Sequence, residues 1–260
     1  CHTVPRELGG VGSWYRDFTQ VSDEDVLAVL TGVGAPAPAG EAMPTARELV
    51  IDLDGIRLRG DLVVPQGARG LVVFAHGSGS SRHSPRNRAV ARRLQSAGLA
   101  TLLLDLLAEH EEGRRDLVFD IPLLAARLEA VTRWCRDEPA VHGLPIGYFG
   151  ASTGAGAALR AAAALGDEVR AVVSRGGRPD LAGDRLPLVR AATLLIVGSR
   201  DVEVLTLNRR AAERLVCLHR VEVVEGATHL FEEPGTLEAV AELAIVWFLA
   251  HLPLARASEA

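Results

Sequence analysis

Short apolar runs recur along most of this chain: "LVVFAH" (71–76), "ATLLLDLL" (100–107), "PIGYFG" (145–150), "VRAVVSR" (169–175) and "ATLLIVGS" (192–199). A strand with one wet face alternates apolar and polar residues. A strand covered on both faces reads as a nearly continuous apolar run. Between these runs lie stretches of helical periodicity, near 84–97, 120–136, 153–165 and 205–215, and a last one over about 235–251. Gly98 closes the first of them, as a helix-terminating glycine does. Strands alternating with helices of this length imply crossover units and a parallel sheet. Ahead of them, "ELVIDL" and "IRLRGDLVV" alternate and are separated by Asp54-Gly55, a hairpin signal, so the first pair is expected to be antiparallel. With "HRVEVVE" (219–225) the expected strands number eight: an α/β fold with a mostly parallel sheet flanked by helices.

The chain has 260 residues, 48% hydrophobic and 23% charged, enough for a core of useful size. Residues 31–46, "TGVGAPAPAGEAMPTA", read as a linker. Before it, Ser22 is placed to cap a short helix whose first turn is acidic. The expected division is an N-terminal segment and linker over 1–42 and one domain over 43–260. A net charge of −5 offers nothing to a phosphate backbone, so nucleic acid is not an expected partner. The arginines at 82, 86, 88, 92 and 93 are expected to be a solvated helix face. Cys1, Cys135 and Cys217 are scattered and form no C-x-x-C pair, which fits neither a disulfide framework nor a zinc site and suits a reducing cytoplasm. His110 with Glu109, Glu111 and Glu112 reads as a solvated loop rather than a metal site. No run of about 18 apolar residues is present, so no membrane partner is expected. Cys1 is compatible with a lipid anchor or with a cut from a longer chain, and the second is expected.

One serine stands out. Ser152 lies in "YFGASTGAGAALR" (148–160), at the carboxyl end of a buried strand and on the turn into a helix. Ligands of open α/β sheets bind at that edge. Gly150-Ala151-Ser152-Thr153-Gly154 reads G-x-S-x-G, in which glycines remove collisions at a sharp strand-to-helix turn. The plainer reading is a helix cap in a glycine-rich turn. A serine hydroxyl needs a base to become a nucleophile. Beyond Ser152 the histidines are His219, which opens a strand, His251, which ends a helix, and His229. Only His229, in "EGATHLFEE", falls on a loop at the same sheet edge. The acid that orients it is expected just past the intervening strand, at Asp201, with Glu203 as the alternative; Asp180 and Asp184 follow the preceding strand. Two backbone amides should hold the oxyanion: that of Thr153, and that of Ser78 in "AHGSGSSRHSPRN". This loop lacks the lysine and the spacing of a phosphate-binding P-loop.

From about 47 to 252 these features resemble the α/β-hydrolase superfamily, in a capless layout similar to its dienelactone hydrolase-like branch. The resemblance implies Ser152 as nucleophile, Asp201 as acid, His229 as base and Ser78 in the oxyanion loop, with no cofactor and no metal. Dienelactone hydrolases proper carry cysteine at the nucleophile position; serine here leans toward cleavage of ordinary small carboxylic esters. An acyltransferase or perhydrolase with the same triad is the second reading, and a non-catalytic hydrolase-like module the third. Residues 1–30, with "VGSWYRDFTQVSDEDVLAVL", resemble the tail of a phosphoribosyltransferase-type domain, which would make Cys1 internal to a longer precursor and gives Trp14, Tyr15 and Phe18 a packing role.

The connection Arg175–Ala191 is too short for a helical cap, so an open site is expected. Arg82, His83, Glu109, Arg175, Phe231 and Glu232 are candidates to line it. Arg82, Arg175 and Phe231 are the expected substrate-binding residues, with one of the arginines clamping a substrate carboxylate. The other reading pairs the arginines with the acidic "EHEE" loop. The expected partner is a small-molecule ester, and a homodimer is the assembly to test.

Overall fold

The computed structural model describes residues 46–252 apart from 54 and 112. The expectations for residues 1–42 and for Glu112 lie outside the described residues. Strand β1 (Arg47–Leu53) turns back into β2 (Ile56–Val63), and Gly55, at φ +92°, supplies the left-handed conformation that this hairpin needs. The chain then alternates: β3 (Leu71–Ala75), α1 (Pro85–Ser96), β4 (Ala100–Leu104), α2 (Arg115–Val118), α3 (Ile121–Asp137), β5 (Ile146–Ala151), α4 (Thr153–Leu165), β6 (Val169–Arg175), β7 (Ala192–Gly198), α5 (Val202–Ala212), β8 (His219–Val224) and α6 (Thr236–His251). The sheet order is β1-β2-β4-β3-β5-β6-β7-β8. Strand β2 runs antiparallel to both of its neighbours, β1 and β4, and every other pair is parallel.

Side chains of successive strand residues point to opposite faces. Leu71, Val73 and Ala75 of β3 therefore join one apolar layer, with Leu102 and Tyr148, under α3 and α4. Val72 and Phe74 join the other, with Phe149, Val173 and Ile196, under α1 and α6. The central strands β3, β4 and β5 are buried at every position, which is why their sequences carry no polar alternation.

Two boundaries differ from the sequence reading. Helix α5 starts at Val202, three residues before the expected 205; Asp201 stands at its N-cap position without a side-chain cap bond, its carboxylate facing His229, and Glu203 lies in the first turn. The polar stretch after β4 holds the extra short helix α2. The β6–β7 connection carries 3-10 turns over Pro179–Leu188, packed on α4, and among the described residues no cap covers the sheet edge. No described helix is long and apolar enough to cross a membrane.

Candidate active site

The carboxyl ends of β3, β5, β6 and β7 converge on Ser152. It is one of two described non-glycine residues with positive φ, at φ 49° and ψ −123°. That conformation is costly for a residue with a Cβ. It is held by three backbone hydrogen bonds: Ser152 N–H to the Arg175 carbonyl (3.3 Å), and the Ser152 carbonyl accepting from Ala155 (3.1 Å) and Arg178 (3.0 Å). The flanking glycines are required sterically. A Cβ on Gly150 would lie 2.5 Å from the Ala155 Cα, and one on Gly154 would lie 2.3 Å from the Ala75 carbonyl oxygen. The Ser152 side chain is half-buried, and its hydroxyl makes no hydrogen bond among the described residues.

His229 and Asp201 come together. His229 Nδ1 lies 2.6 Å from Asp201 Oδ2, with the carboxylate 14% exposed and the imidazole 40%. A ring N–H on Nδ1 donates to that carboxylate and leaves Nε2 as the lone-pair nitrogen. The loop bearing His229 crosses directly over Gly176: a Cβ there would lie 2.9 Å from the His229 carbonyl oxygen and 3.6 Å from Nδ1. Gly176 follows Arg175, whose carbonyl holds the Ser152 amide, so serine and imidazole flank the end of one strand. Glu203 and Asp184 are exposed and Asp180 is paired with Arg178, whereas His219 caps a carbonyl at the far edge and His251 stacks on Trp247.

The loop after β3 closes the other side. A Cβ on Gly77 would meet the Ser152 Cβ at 3.0 Å, so this loop lies against the serine. Its anchor is His76, whose Nε2 accepts from the Leu106 amide at 3.2 Å while Nδ1 sits 2.9 Å from the Gly77 carbonyl. That pattern requires the neutral ring protonated on Nδ1, and burial accordingly pushes the His76 pKa below the ordinary histidine value. The Ser78 amide does not face open space: it donates to Thr153 Oγ1 at 2.9 Å. The Thr153 amide, in the first helical turn, has no acceptor among the described residues. A cleft of about 940 Å³ opens from this point; Ser78, Ser80, Ser81, Thr153, Leu107, Val118, Phe119 and Leu124 are among its lining residues, and Arg175 is not.

The arginines sort themselves by partner. Arg82 is bound to Asp105, to Asp61 at 3.3 Å and to Glu48 at 2.9 Å, with only 10% of its side chain exposed. Burial works against its charge, but Asp105 and Asp61 outweigh it and raise its pKa. It is a strut between strands, not a free clamp, and neither it nor its neighbours make a simply solvated face: Arg88 pairs with Asp61 and Arg86 with Glu232. The "EHEE" loop serves other arginines, Glu109 pairing with Arg59 and Glu111 with Arg127.

Arg175 differs. It is 7% exposed, its Nε is buried without a partner, and its nearest acceptor is the Leu230 carbonyl at 3.5 Å. Burial, and then the nearby charge of Arg86, pull its pKa down to about 10. Phe231 does not line the cleft. Its positive φ of 56° turns the ring inward, where it is 1% exposed and lies 6.0 Å below the Arg175 guanidinium. His83, beside Arg88, and Glu109 border the cleft. Gly176 and Gly198 are positioning residues that sequence patterns did not single out, and His76, which opens the expected oxyanion stretch, anchors that loop. Among the described residues no three metal-binding side chains gather.

No protein-family model matches the chain. Two Mycobacterium tuberculosis proteins, from strains CDC 1551 and H37Rv, provisionally named phosphoribosyl transferases, are each 55% identical over 259 residues. The match covers 97% of this chain but spans only 58% of theirs. Among solved structures, an esterase of Pyrococcus furiosus (19% identical, TM-score 0.67, 84% of this chain and 99% of that one) and an α/β serine hydrolase homologue of Coxiella burnetii (20%, TM-score 0.65, 79% and 99%) share the fold. A dienelactone hydrolase of Anabaena variabilis is 53% identical with a TM-score of 0.79, covering 81% of this chain and 100% of its own length. Matched along the whole of that hydrolase on the same sheet, the chain belongs to the dienelactone hydrolase family of α/β hydrolases.

Proposed function

We propose that this chain hydrolyses small carboxylic esters through an acyl-enzyme on Ser152, with His229 as base and Asp201 as its orienting acid. The observation that carries the reading is the 2.6 Å Asp201–His229 pair beside a serine held at φ 49°. His229 Nε2 takes the proton as Ser152 Oγ bonds to the ester carbon. The carbonyl electron pair moves onto oxygen, where the Thr153 amide meets it. Collapse expels the alcohol, which receives the proton from His229. Water then repeats the sequence: its oxygen bonds to the acyl carbon as its proton passes to Nε2, and on collapse the acyl carbon–Oγ bond breaks, Oγ takes that proton back from His229 and the acid is released. Asp201 holds the imidazole in register.

The cleft's few apolar lining residues and the absence of a cap among the described residues favour short acyl groups. Arg175, a buried cation lacking a carboxylate partner, is our candidate for a substrate carboxylate. The segment shared with the Mycobacterium relatives includes the described residues, whose hydrolase fold supports the hydrolase reading over their printed name. The test is turnover of p-nitrophenyl acetate and labelling by a fluorophosphonate. Wild type should turn over and be labelled at Ser152, and Ser152→Ala should do neither. Labelling at another residue, or turnover that survives in Ser152→Ala, would refute the assignment.

A further inference from the structure

The oxyanion loop is built in a way the expected pair of amides does not explain. The Ser78 amide donates to Thr153 Oγ1 at 2.9 Å. That is the distance at which an amide would hold a substrate oxyanion. The threonine oxygen therefore occupies the acceptor position that the Ser78 amide was expected to offer to substrate. Two arrangements are open during the reaction. Either the hydroxyl swings away and releases the amide, or it stays and presents its own proton.

Three observations favour the second. Thr153 is 6% exposed, and its side chain is β-branched, so leaving its rotamer means moving a stiff group inside packed surroundings. The surroundings are tight, since a Cβ on the next residue, Gly154, would strike the Ala75 and His76 carbonyls at 2.3 and 2.4 Å. A hydroxyl has one proton and accepts through its lone pairs. Having accepted from Ser78, Thr153 Oγ1 donates to nothing among the described residues, and Thr153 borders the cleft beside Gly77 and Ser78. An O–H that already accepts an N–H is polarised toward stronger donation, and its bond to an anion is short and charge-assisted.

We infer that the Thr153 hydroxyl is itself an oxyanion donor, with the Ser78 amide acting through it. Thr153 then meets the developing charge twice, through its backbone N–H and its Oγ1–H. It lends a hydrogen bond and no proton: the proton of Ser152 still goes to His229, and the electron pair of the carbonyl stays on the substrate oxygen until the intermediate collapses. The inference rests on the hydrolase reading above and adds a residue to it.

The experiment compares Thr153→Val, which keeps the shape and removes the hydroxyl, with Thr153→Ser, which keeps the hydroxyl. Each is assayed for p-nitrophenyl acetate hydrolysis and for inhibition by a trifluoromethyl ketone, which forms a tetrahedral oxyanion on the serine. The expected result is a fall in kcat of about 10²-fold or more in Thr153→Val with little change in KM, the size of loss seen when one oxyanion donor is removed. Trifluoromethyl ketone affinity should fall in parallel, and Thr153→Ser, which keeps the hydroxyl, should retain much more of both than Thr153→Val. Thr153→Ala provides the same comparison if the valine fails to seat. An unchanged or increased kcat in the hydroxyl-free variant, with full ketone affinity, would show that the Ser78 amide works alone and would overturn the inference. A merely structural tether would lower Tm without weakening the ketone relative to product acetate, and that also overturns it. Ester turnover by wild type that is abolished in Ser152→Ala keeps these outcomes separate from failure of the hydrolase reading.

Discussion

Gly198 touches neither nucleophile nor substrate, yet its replacement should disable the site. It ends β7, three residues before Asp201. A Cβ at this position would lie 2.3 Å from the Ala227 carbonyl oxygen and 2.8 Å from that of Thr228, two residues and one residue before His229. Real contacts of this kind begin at 3.0–3.4 Å, so in Gly198→Ala the loop must retreat by roughly 0.7 to 1.1 Å. The Ala227 carbonyl also accepts the Arg200 amide at 3.0 Å, so the displacement strains the turn that carries Asp201. Adding it to a 2.6 Å Nδ1–Oδ2 contact takes the pair to or past the limit of a hydrogen bond. A misplacement of about 1 Å costs about 10²-fold in rate. Overpacking of this kind costs about 1–3 kcal/mol of stability, which for a chain of this size lowers Tm by about 2–4 °C per kcal/mol. The assay is kcat for p-nitrophenyl acetate, with Tm measured alongside. Gly183→Ala is the control: unlike Gly198→Ala it places a side chain at positive φ (60°), and it does so with nothing within 4 Å and on the turns after β6. It should lose stability and keep kcat. If Gly198→Ala loses Tm but keeps kcat, the seating of this loop does not set the base, and the reasoning fails.

Ser152→Ala and Ser152→Gly should both be inactive, but the glycine variant should be the more stable by about 1 kcal/mol, because only glycine is relaxed at φ 49°, ψ −123°; an alanine variant that melts higher would show the turn to be unstrained. His229→Ala should lower kcat by about 10³-fold or more, and Asp201→Asn by at least about tenfold; a silent Asp201→Asn with a damaged Glu203→Gln would move the acid. The buried, neutral His76 has its pKa depressed, so the unfolded chain binds more protons at low pH. Its contribution is complete above the ordinary value of about 6.5 and is lost as pH falls below it. Tm should drop there, and less steeply in His76→Gln, with His251 contributing in the same direction. Arg175→Gln should lower kcat/KM for a succinyl ester far more than for an acetyl ester; equal losses would make Arg175 a support for the His229 loop alone.

What was legible in the sequence follows from how local each signal is. The central strands could be read because burial on both faces removes polar residues from them, and that is a property of the run itself. The turn at Ser152 could be read because Gly150 and Gly154 answer collisions within a five-residue window. The pairing of Asp201 with His229 could be anticipated because strand order puts both loops at one sheet edge. The start of α5 was harder, since "VEV" at 202–204 looks extended and Asp201 makes no side-chain cap bond to mark it. Phe231 misled because an aromatic beside a candidate base suggests a pocket wall, whereas a positive φ, invisible in the sequence, turns it inward. The Ser78–Thr153 bond joins positions 75 residues apart and has no local signature.

Arg82 and Arg175 show the limit most sharply. Arg82 comes after the apolar strand β3 and Arg175 ends the apolar strand β6, and the sequence placed both near the expected cleft. What separates them is the supply of acceptors. Glu48 and Asp61 come from β1 and β2, and Asp105 immediately follows β4; the sheet order sets these segments side by side and delivers all three carboxylates to Arg82. On the other side, β6 is flanked by β5 and β7, neither of which ends in an acid that reaches Arg175. Glu232, two residues past the carbonyl that Arg175 contacts, is paired with Arg86. Burying a guanidinium without an anion is costly, and here a single long contact to a carbonyl and the face of Phe231 are what offset it. A fold that satisfies one arginine three times and leaves its counterpart short, two dozen residues after the serine, is the reason Arg175, and not Arg82, is the arginine we propose for a substrate carboxylate.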